Sequence, residues 1–505
     1  MRKATEDLMD MLEEYYGKHQ SMLYDGYMAS KQSSDAKMRK MAQESSAAMA
    51  RKIAEALVDP TQKSFVIGVI GSSVAAGHDN CFYDCYEKQM ERTWSSVWEA
   101  AGMKLEVRNA GQGGGCGDTY KNQIWCLKQT AGQDIDVAHY TWTYFESRDR
   151  YPYHEVFARN ALLLPKHPVP QIWNTGPGSC YGDSPLPKAY AKFGFTYLCL
   201  EKGLKSGGIY PGKKWGVVGD GYHNTTRYGE KLDDEERRNS LGVVFRNWHP
   251  GPLGFQYISD AFVYRYAEAT LDALDMIEEA LESDSDPVET FARPIYTASD
   301  LPKPQNCIEK FCPMDEPSEC LNLEEPTFGF HGASPASASD DLNLYAKAKQ
   351  NWATFRNDRG PNYMVSKSDI KYMKRDPSLQ CTFPDHCAGF QGSWDSGTLA
   401  FRLPKMSMGV ISVCFCCGKK SGIDFLEQYK DWVDFELDGE HKLDKSKFFA
   451  GKGFGEKCVT VMDEWPNGLS NNNGHFYLGV IVRDDLIPEV NRTKFNLRLD
   501  HVVTM

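Results

Sequence analysis

The sequence predicts an α/β domain built on a parallel sheet with helices on both faces, preceded by a helical segment and followed by a β-sandwich. Apolar strand-like runs alternate with helical stretches from residue 63 onward, which is the pattern of a parallel sheet with crossover helices. A long helical pattern from about Phe255 to Leu281 closes this part of the chain. Beyond residue 346, short β-like runs are separated by Gly, Asp and Asn, as in a sandwich.

These changes of pattern divide the chain into four segments. Residues 1–62 carry two amphipathic stretches and are interpreted as a helical stalk or packing segment, through which a second copy of the chain could also bind. Residues 63–282 form the α/β domain, and residues 283–345 are a linker rich in Pro, Ser and Cys. Residues 346–505 form the β-sandwich domain.

The first strand of the α/β domain ends in a serine turn. Phe65 to Ile70 is apolar and β-branched, as expected for a buried strand of a parallel sheet. Gly71-Ser72-Ser73 follows, and Asp84 to Gly102 has the pattern of a helix. This order sets a hydroxyl at the carboxyl edge of the sheet, where open α/β folds bind their ligands. A turn with a capping serine is the alternative interpretation.

Three further strands are predicted in the same domain, over Lys104–Arg108, Ile135–Tyr140 and Val169–Asn174. The first of these runs into a loop, Asn109 to Gly117, whose many glycines indicate a backbone that approaches a ligand. Residues 180–245 have little regular pattern and are interpreted as an inserted surface region that shapes the cleft.

Composition bears on partners and compartment. A net charge of −12 argues against nucleic-acid binding. The 15 cysteines are interpreted as mainly disulfide-bonded, since their spacing does not suit a zinc site, and no metal or cofactor is expected. Sequons at Asn224 and Asn491 fit a secreted glycoprotein. Because no signal or membrane-spanning stretch is present, secretory localisation implies an anchor or signal missing from this sequence, and a cytosolic protein is the alternative.

Three blocks of the α/β domain resemble the SGNH (GDSL-type) hydrolase superfamily over roughly residues 63–281. Ser73 and Gly77 match its first block, Gly-Asp-Ser-x-x-x-Gly, although Ser72 replaces the Asp. Gly114, five residues after Asn109, falls where the family carries its oxyanion glycine. In the final block, Asp-x-x-His-Pro with a nearby Gly, the matches are His249, Pro250 and Gly254. The resemblance implies a flavodoxin-like sheet and a serine esterase.

Two departures from the family affect the implied mechanism. The Asn of its third block is absent from Trp142-Thr-Tyr-Phe145, and Arg246 stands where the Asp before the histidine is expected. Tyr144 or Asn174 could replace the missing oxyanion donor. Glu146 or Asp220 could replace the acid that orients the imidazole.

The resemblance implies acyl transfer at Ser73 with His249 as the base, and with the amides of Ser73 and Gly114 in the oxyanion hole. Carbohydrate O-acyl esters are the expected substrates, since tryptophans at the strand ends suit a sugar face and the sandwich is of a kind that often binds glycans. Two alternatives remain. One is an inactive glycan-binding or structural surface protein that kept the fold, and the other is a sugar O-acyltransferase.

Overall fold

The computed structural model describes most of both predicted domains. It covers residues 1–29, 31, 33–71, 74–75, 77, 85–111, 124–141, 151–174, 184–208, 244–246, 249–292, 296, 299–307, 312–314, 316–322, 346–358, 386–406, 408–415, 429–443, 458–466, 469–470 and 476–505.

The amino-terminal segment consists of helices α1 (Arg2–Tyr16), α2 (Ser21–Asp25) and α3 (Ala36–Val58). On α1, the buried side chains recur every four residues at Leu8, Leu12 and Tyr16, which defines one apolar face. The Asp35 side chain caps α3 by accepting a hydrogen bond from the Lys37 amide (2.8 Å).

A five-stranded sheet forms the centre of the first domain. Its strands are β1 (Ser64–Gly71), β2 (Lys104–Asn109), β3 (Val137–Thr141), β4 (Val169–Asn174) and β5 (Thr196–Cys199). They are all parallel, in the order β2-β1-β3-β4-β5. This is the flavodoxin-like order, so the predicted fold class is confirmed.

The fifth strand lies in the region that was expected to be an inserted surface segment, and that expectation was wrong for residues 184–208. Helix α7 (Leu186–Tyr190), β5 and helix α8 (Leu200–Ser206) occupy this stretch. Strand β5 has only four residues, Thr-Tyr-Leu-Cys, all of them buried. A run this short gives a periodicity analysis too little signal to separate it from a loop.

Helices cover both faces of the sheet. They are α4 (Tyr86–Glu99), α5 (Leu127–Ala131), α6 (Tyr151–Leu163), α7, α8 and the long α9 (Pro252–Glu282), which follows a hairpin of β6 (Phe245–Arg246) and β7 (His249–Pro250). Helix α9 packs against α1, α3 and α4, and their apolar side chains share one core with one face of the sheet.

The amino-terminal helices are bound to α9 by buried polar contacts as well. The Tyr16 hydroxyl donates to the Asp260 carboxylate (2.6 Å), and the Tyr27 hydroxyl donates to the Ala261 carbonyl (3.0 Å). Their apolar faces are therefore used inside the chain. Self-association through these helices stays a prediction.

Part of the predicted linker packs against α6. After helix α10 (Pro287–Thr290), residues 299–322 run to strand β8 (Glu319–Asn322), and we call residues 299–322 the strap. A disulfide between Cys307 and Cys312 lies within it, and Cys126, Cys199 and Cys414 are also disulfide-bonded.

The second domain is the predicted β-sandwich. One sheet contains β10 (Ala353–Asp358), β11 (His386–Gly392), β18 (Leu497–Thr504), β13 (Ile411–Phe415) and β16 (Cys458–Met462), and β8 of the strap pairs with β18. The other contains β15 (His441–Lys442), β14 (Val433–Leu437), β17 (Tyr477–Val482), β12 (Thr398–Arg402) and β9 (Ala346–Lys349). Apolar side chains from both sheets form the core between them. A short helix, α11 (Glu489–Arg492), precedes β18.

The two domains are in contact. Val410, Cys414 and Met505 of the sandwich belong to the same buried apolar cluster as Ile124 and Trp125 of the first domain. Among the described residues, no helix combines the length and apolar character needed to cross a bilayer.

Candidate active site

The carboxyl ends of β1 to β4, which most of the predicted site residues follow closely in sequence, lie at one edge of the sheet. Strand β1 ends two residues before Ser73, β2 ends five residues before Gly114, and β3 ends three residues before Tyr144. These three residues, together with Glu146 and Asp220, lie outside the described part of the chain. Asn174 is the last residue of β4 and is partly exposed at this edge. Parallel pairing of β1 to β4 therefore places all four strand ends at the same edge of the sheet, where open α/β folds bind their ligands.

The turn after β1 depends on two glycines of the serine motif. A side chain on Gly71, whose φ is 144°, would approach the Thr141 carbonyl oxygen to 2.5 Å. Gly77 has a φ of 71°, and a side chain there would collide with the Cys85 sulfur. Both positions need a residue without Cβ because the turn is held tightly against β3 and the start of α4.

Asn109, at the end of β2, links the serine turn to the glycine-rich loop. Its Nδ2 donates to the Ala75 carbonyl (2.6 Å), two residues beyond Ser73. Its Oδ1 accepts a hydrogen bond from the Gly111 amide (2.8 Å), three residues before Gly114. One buried amide group thus bridges the segments that carry the predicted nucleophile and the predicted oxyanion donor.

The histidine block forms the β6–β7 hairpin directly ahead of α9. His249 pairs with Arg246, so the residue that replaces the family carboxylate is the cross-strand partner of the histidine. The His249 side chain is outside the described part of the structure. Its main chain is fixed by the hairpin and by the Gly251 amide, which donates to the Val244 carbonyl (2.9 Å).

Helix α4 ties this hairpin to the sheet edge. The Gln89 side chain donates to the carbonyl of Pro252, the first residue of α9 (2.9 Å). The Tyr86 ring contacts Phe255 at 6.2 Å and Trp173, next to Asn174, at 4.8 Å between ring centroids. The start of α9 and the end of β4 therefore both contact the beginning of α4. Trp173 is fully buried and belongs to this packing, so it is a core residue and does not line an aromatic cleft.

Glu87, in the first turn of α4, is a candidate that sequence reasoning missed. Its side chain is fully buried, and burial raises the pKa of the carboxyl to about 7, an effect that the Asn109 side chain partly opposes. Neither oxygen has a hydrogen bond of normal geometry within the described residues. The buried residues Met90 and Trp94 lie three and seven positions later, so helical spacing could have shown that Glu87 lies on the buried face.

His139 on β3 is a second histidine near the strand ends, and its environment argues against a role as base. The ring lies between Phe262 (4.4 Å) and Tyr86 (6.4 Å), and its Nε2 pairs with the Tyr266 hydroxyl at 2.6 Å. Burial lowers its pKa to about 3, which keeps the ring neutral inside the core. His249 therefore remains the candidate base.

Of the two predicted glycosylation sites, one lies in the described part of the structure. Asn491 lies in α11 and is partly exposed, and Asn224 lies outside the described residues. Modification at either position stays a prediction.

Comparison with known proteins gives weak similarities. No family model and no curated protein matches the chain. Among solved structures it is similar to a two-domain esterase, CEX, active on acetylated mannans, with 12% identity and a TM-score of 0.40 over 87% of this chain and 91% of that one. For the same esterase co-crystallised with mannopentaose, the identity is 11% and the TM-score 0.41, over 93% of this chain and 94% of that one. For the tail fiber protein gp63.1 of an E. coli phage, the identity is 11% and the TM-score 0.26, over 90% of this chain and 48% of that one. These values assign no function, which therefore depends on the chain's own residues.

Proposed function

We propose that the chain is an SGNH-like serine esterase that removes O-acyl groups, with Ser73 as nucleophile and His249 as base. One observation carries the proposal: the elements that hold the three motif blocks meet at one edge of the sheet. Asn109 bonds to the turn after Ser73 and to the loop before Gly114. Gln89 bonds to the start of the helix that follows His249. These contacts support our proposal that Ser73 and His249, 176 positions apart, share one pocket.

The reaction divides into two transfers. In the first, the Ser73 oxygen attacks the ester carbonyl while the imidazole takes its proton, and the alcohol leaves with that proton. In the second, water attacks the acyl-serine, the imidazole takes a proton from the water, and the carboxylic acid leaves as Ser73 recovers its proton. In each transfer the imidazole takes up one proton and then gives it back, so the enzyme ends the cycle in its starting protonation state.

The developing oxyanion needs donors at the carboxyl edge of the sheet. The amides of Ser73 and Gly114 are the proposed pair, with Asn174 or Tyr144 in the place of the missing family Asn. Asn174 is favoured by its position as the last residue of β4 and by its partial exposure. Loss of one such donor typically costs about 100- to 1000-fold in turnover.

The imidazole also needs a partner that fixes its tautomer. The position three residues before His249, where the family has Asp, holds Arg246 in this chain, and Arg246 is the cross-strand partner of His249. That position therefore carries a cation and no carboxylate. Glu146 or Asp220 is proposed to supply the carboxylate.

Carbohydrate esters are the proposed substrates. The β-sandwich contacts the first domain and provides a second surface on which an extended glycan could lie. An acyl group on a sugar hydroxyl is an ester that the proposed Ser–His pair could attack.

A fluorophosphonate probe tests the assignment of the nucleophile. The wild-type protein should be labelled, Ser73→Ala should not, and the neighbouring Ser72→Ala should be labelled as the matched control. Circular dichroism verifies that each variant is folded. Labelling of Ser73→Ala, or no labelling of a folded wild-type protein, would overturn the proposal.

A non-catalytic glycan-binding protein is the second candidate, and the observation that favours it is Arg246 in the place of the family carboxylate. This function predicts that the folded wild-type protein binds an acetylated polysaccharide but neither reacts with the probe nor releases acetate. Transfer of the acyl group to an added sugar instead of water would identify an O-acyltransferase using the same two residues.

A further inference from the structure

We propose that Glu87 is a positioning residue for the esterase reaction, which holds Asn109 and, through it, both the serine turn and the oxyanion loop. This inference rests on the proposed function and adds a residue that no motif block contains. Glu87 touches neither the substrate nor the reacting serine in the proposed mechanism.

The placement of Glu87 requires an explanation. A fully buried carboxyl without a hydrogen bond of normal geometry in the described structure is costly, because a buried polar group loses its contacts with water. Such groups concentrate at functional sites, where a perturbed carboxyl has a role beyond stability. Glu87 lies in the first turn of α4, between Tyr86 and Gln89, which contact the end of β4 and the start of α9.

Asn109 has one donor available for such a role. Its amide nitrogen carries two hydrogens, and one of them is used by the Ala75 carbonyl. Its oxygen is used by the Gly111 amide. The second N–H is the donor through which the neighbouring Glu87 carboxylate can fix the amide plane, and the contact with Asn109 favours the ionised form of the carboxyl.

The charge of Glu87 controls how firmly it holds Asn109, since a carboxylate accepts a stronger hydrogen bond than a carboxylic acid. The groups that act on this charge are Lys88, which favours ionisation, and Glu91, which opposes it, both on α4, and the neutral Asn109 on β2. Burial is the largest influence and keeps the proton on the carboxyl until the pH is near neutral.

The experiment compares Glu87→Gln and Glu87→Leu with wild type on an acetyl ester. Gln keeps an oxygen acceptor for Asn109 and should retain turnover to within about 3-fold, whereas Leu removes the acceptor. For Leu we expect kcat to fall about 10- to 100-fold with KM nearly unchanged, the scale expected for a misplacement of about 1 Å. Glu99→Gln, an exposed position at the end of the same helix, is the matched control and should keep wild-type turnover.

The split between kcat and KM across the pH range separates positioning from a structural role. Below about pH 7 the wild-type carboxyl is protonated and, like Gln, still offers Asn109 a neutral oxygen, so kcat/KM of wild type and of Glu87→Gln should stay within about 3-fold of each other at every pH. In Glu87→Leu the fall in kcat should persist at every pH with KM nearly unchanged. Wild-type kcat in a folded Glu87→Leu, or a loss in Glu87→Gln as large as in Glu87→Leu, would overturn the inference. Activity that survives Ser73→Ala would instead overturn the proposed function, so the two failures are distinguishable.

Discussion

Two fully buried glutamates of the first domain have opposite surroundings. Glu155 on α6 accepts hydrogen bonds from the consecutive amides of Gln305, Asn306 and Cys307, at 2.5 to 2.9 Å, and from the Tyr190 hydroxyl at 2.8 Å. Glu87 on α4 has no hydrogen bond of normal geometry among the described residues. Both side chains have no exposed surface, so burial alone does not distinguish them.

The difference separates a structural carboxylate from a candidate functional one. Three successive N–H groups around Glu155 form an anion-binding concavity, and they fasten the strap to α6. Arg159, one turn later, donates to the Pro302 carbonyl (2.7 Å) and also to that of Pro313 (2.5 Å), which secures the strap at two further places. Beside Glu87, the side chain that favours the ionised carboxyl most strongly is the amide of Asn109, which belongs to the candidate site.

Glu155→Leu should have the largest effect on stability. The substitution leaves three backbone donors and one hydroxyl without their acceptor in a buried place, at about 1–3 kcal/mol for each unsatisfied group. We expect the free energy of unfolding to fall by about 4–6 kcal/mol, measured by urea denaturation. A loss below about 1 kcal/mol would show that the strap is not held by this carboxylate.

Glu87→Gln should change stability with the opposite sign and only at higher pH. The native carboxyl has a pKa of about 7 against an ordinary value of 4.5, so the native state binds more protons than the unfolded state between these values. Wild-type stability therefore falls as pH rises from about 4.5 to 7 and then levels, by about 3 kcal/mol in total.

The neutral Gln removes this dependence. The free energy of unfolding of the variant should therefore rise relative to that of wild type as pH increases from about 4.5, and the difference should reach about 3 kcal/mol by pH 8. Urea denaturation at several pH values measures the difference. Glu99→Gln, exposed at the end of α4, serves as control, and a stability difference that does not change with pH would contradict the assignment.

The disulfide of the strap should contribute least. Removing it with Cys307→Ser and Cys312→Ser frees a loop with a sequence separation of 5, which the chain-entropy relation converts to about 2 kcal/mol. Thermal unfolding of the double variant, compared with Glu155→Leu, measures how much of the strap's attachment depends on the crosslink. A loss larger than that caused by Glu155→Leu would reverse the expected order of the two effects.

Much of the fold could be predicted because its elements have regular patterns. The strand before Ser73, the helix after His249 and the later strands of the sandwich follow alternation or helical spacing that the sequence displays directly. Strand β5 was missed because four residues carry too little pattern. The strap could not be foreseen, since Glu155 and its three amide partners are about 150 positions apart.

The candidate site could be predicted only in its motif residues. Asn109 stands in a glycine-rich loop, which marks it as special, but its bridge between two loops depends on the register of β1 and β2. Glu87 has the spacing of a buried position, yet its charge argues for an exposed one. Its actual environment depends on how α4 packs on the sheet and on α9.

The pairing of β8 with β18 has a consequence for handling the sandwich by itself. Residues 319–322 of the strap pair with residues 501–504 of β18, on the same edge of β18 where β11 pairs with residues 497–499. A fragment beginning at residue 346 would lack β8, so the main-chain N–H and C=O groups of residues 501–504 on this edge would be unpaired. Such an edge recruits strands from other molecules. A fragment beginning near residue 299 would include β8, which pairs with this edge of β18. It should therefore stay monomeric at concentrations where the shorter fragment precipitates.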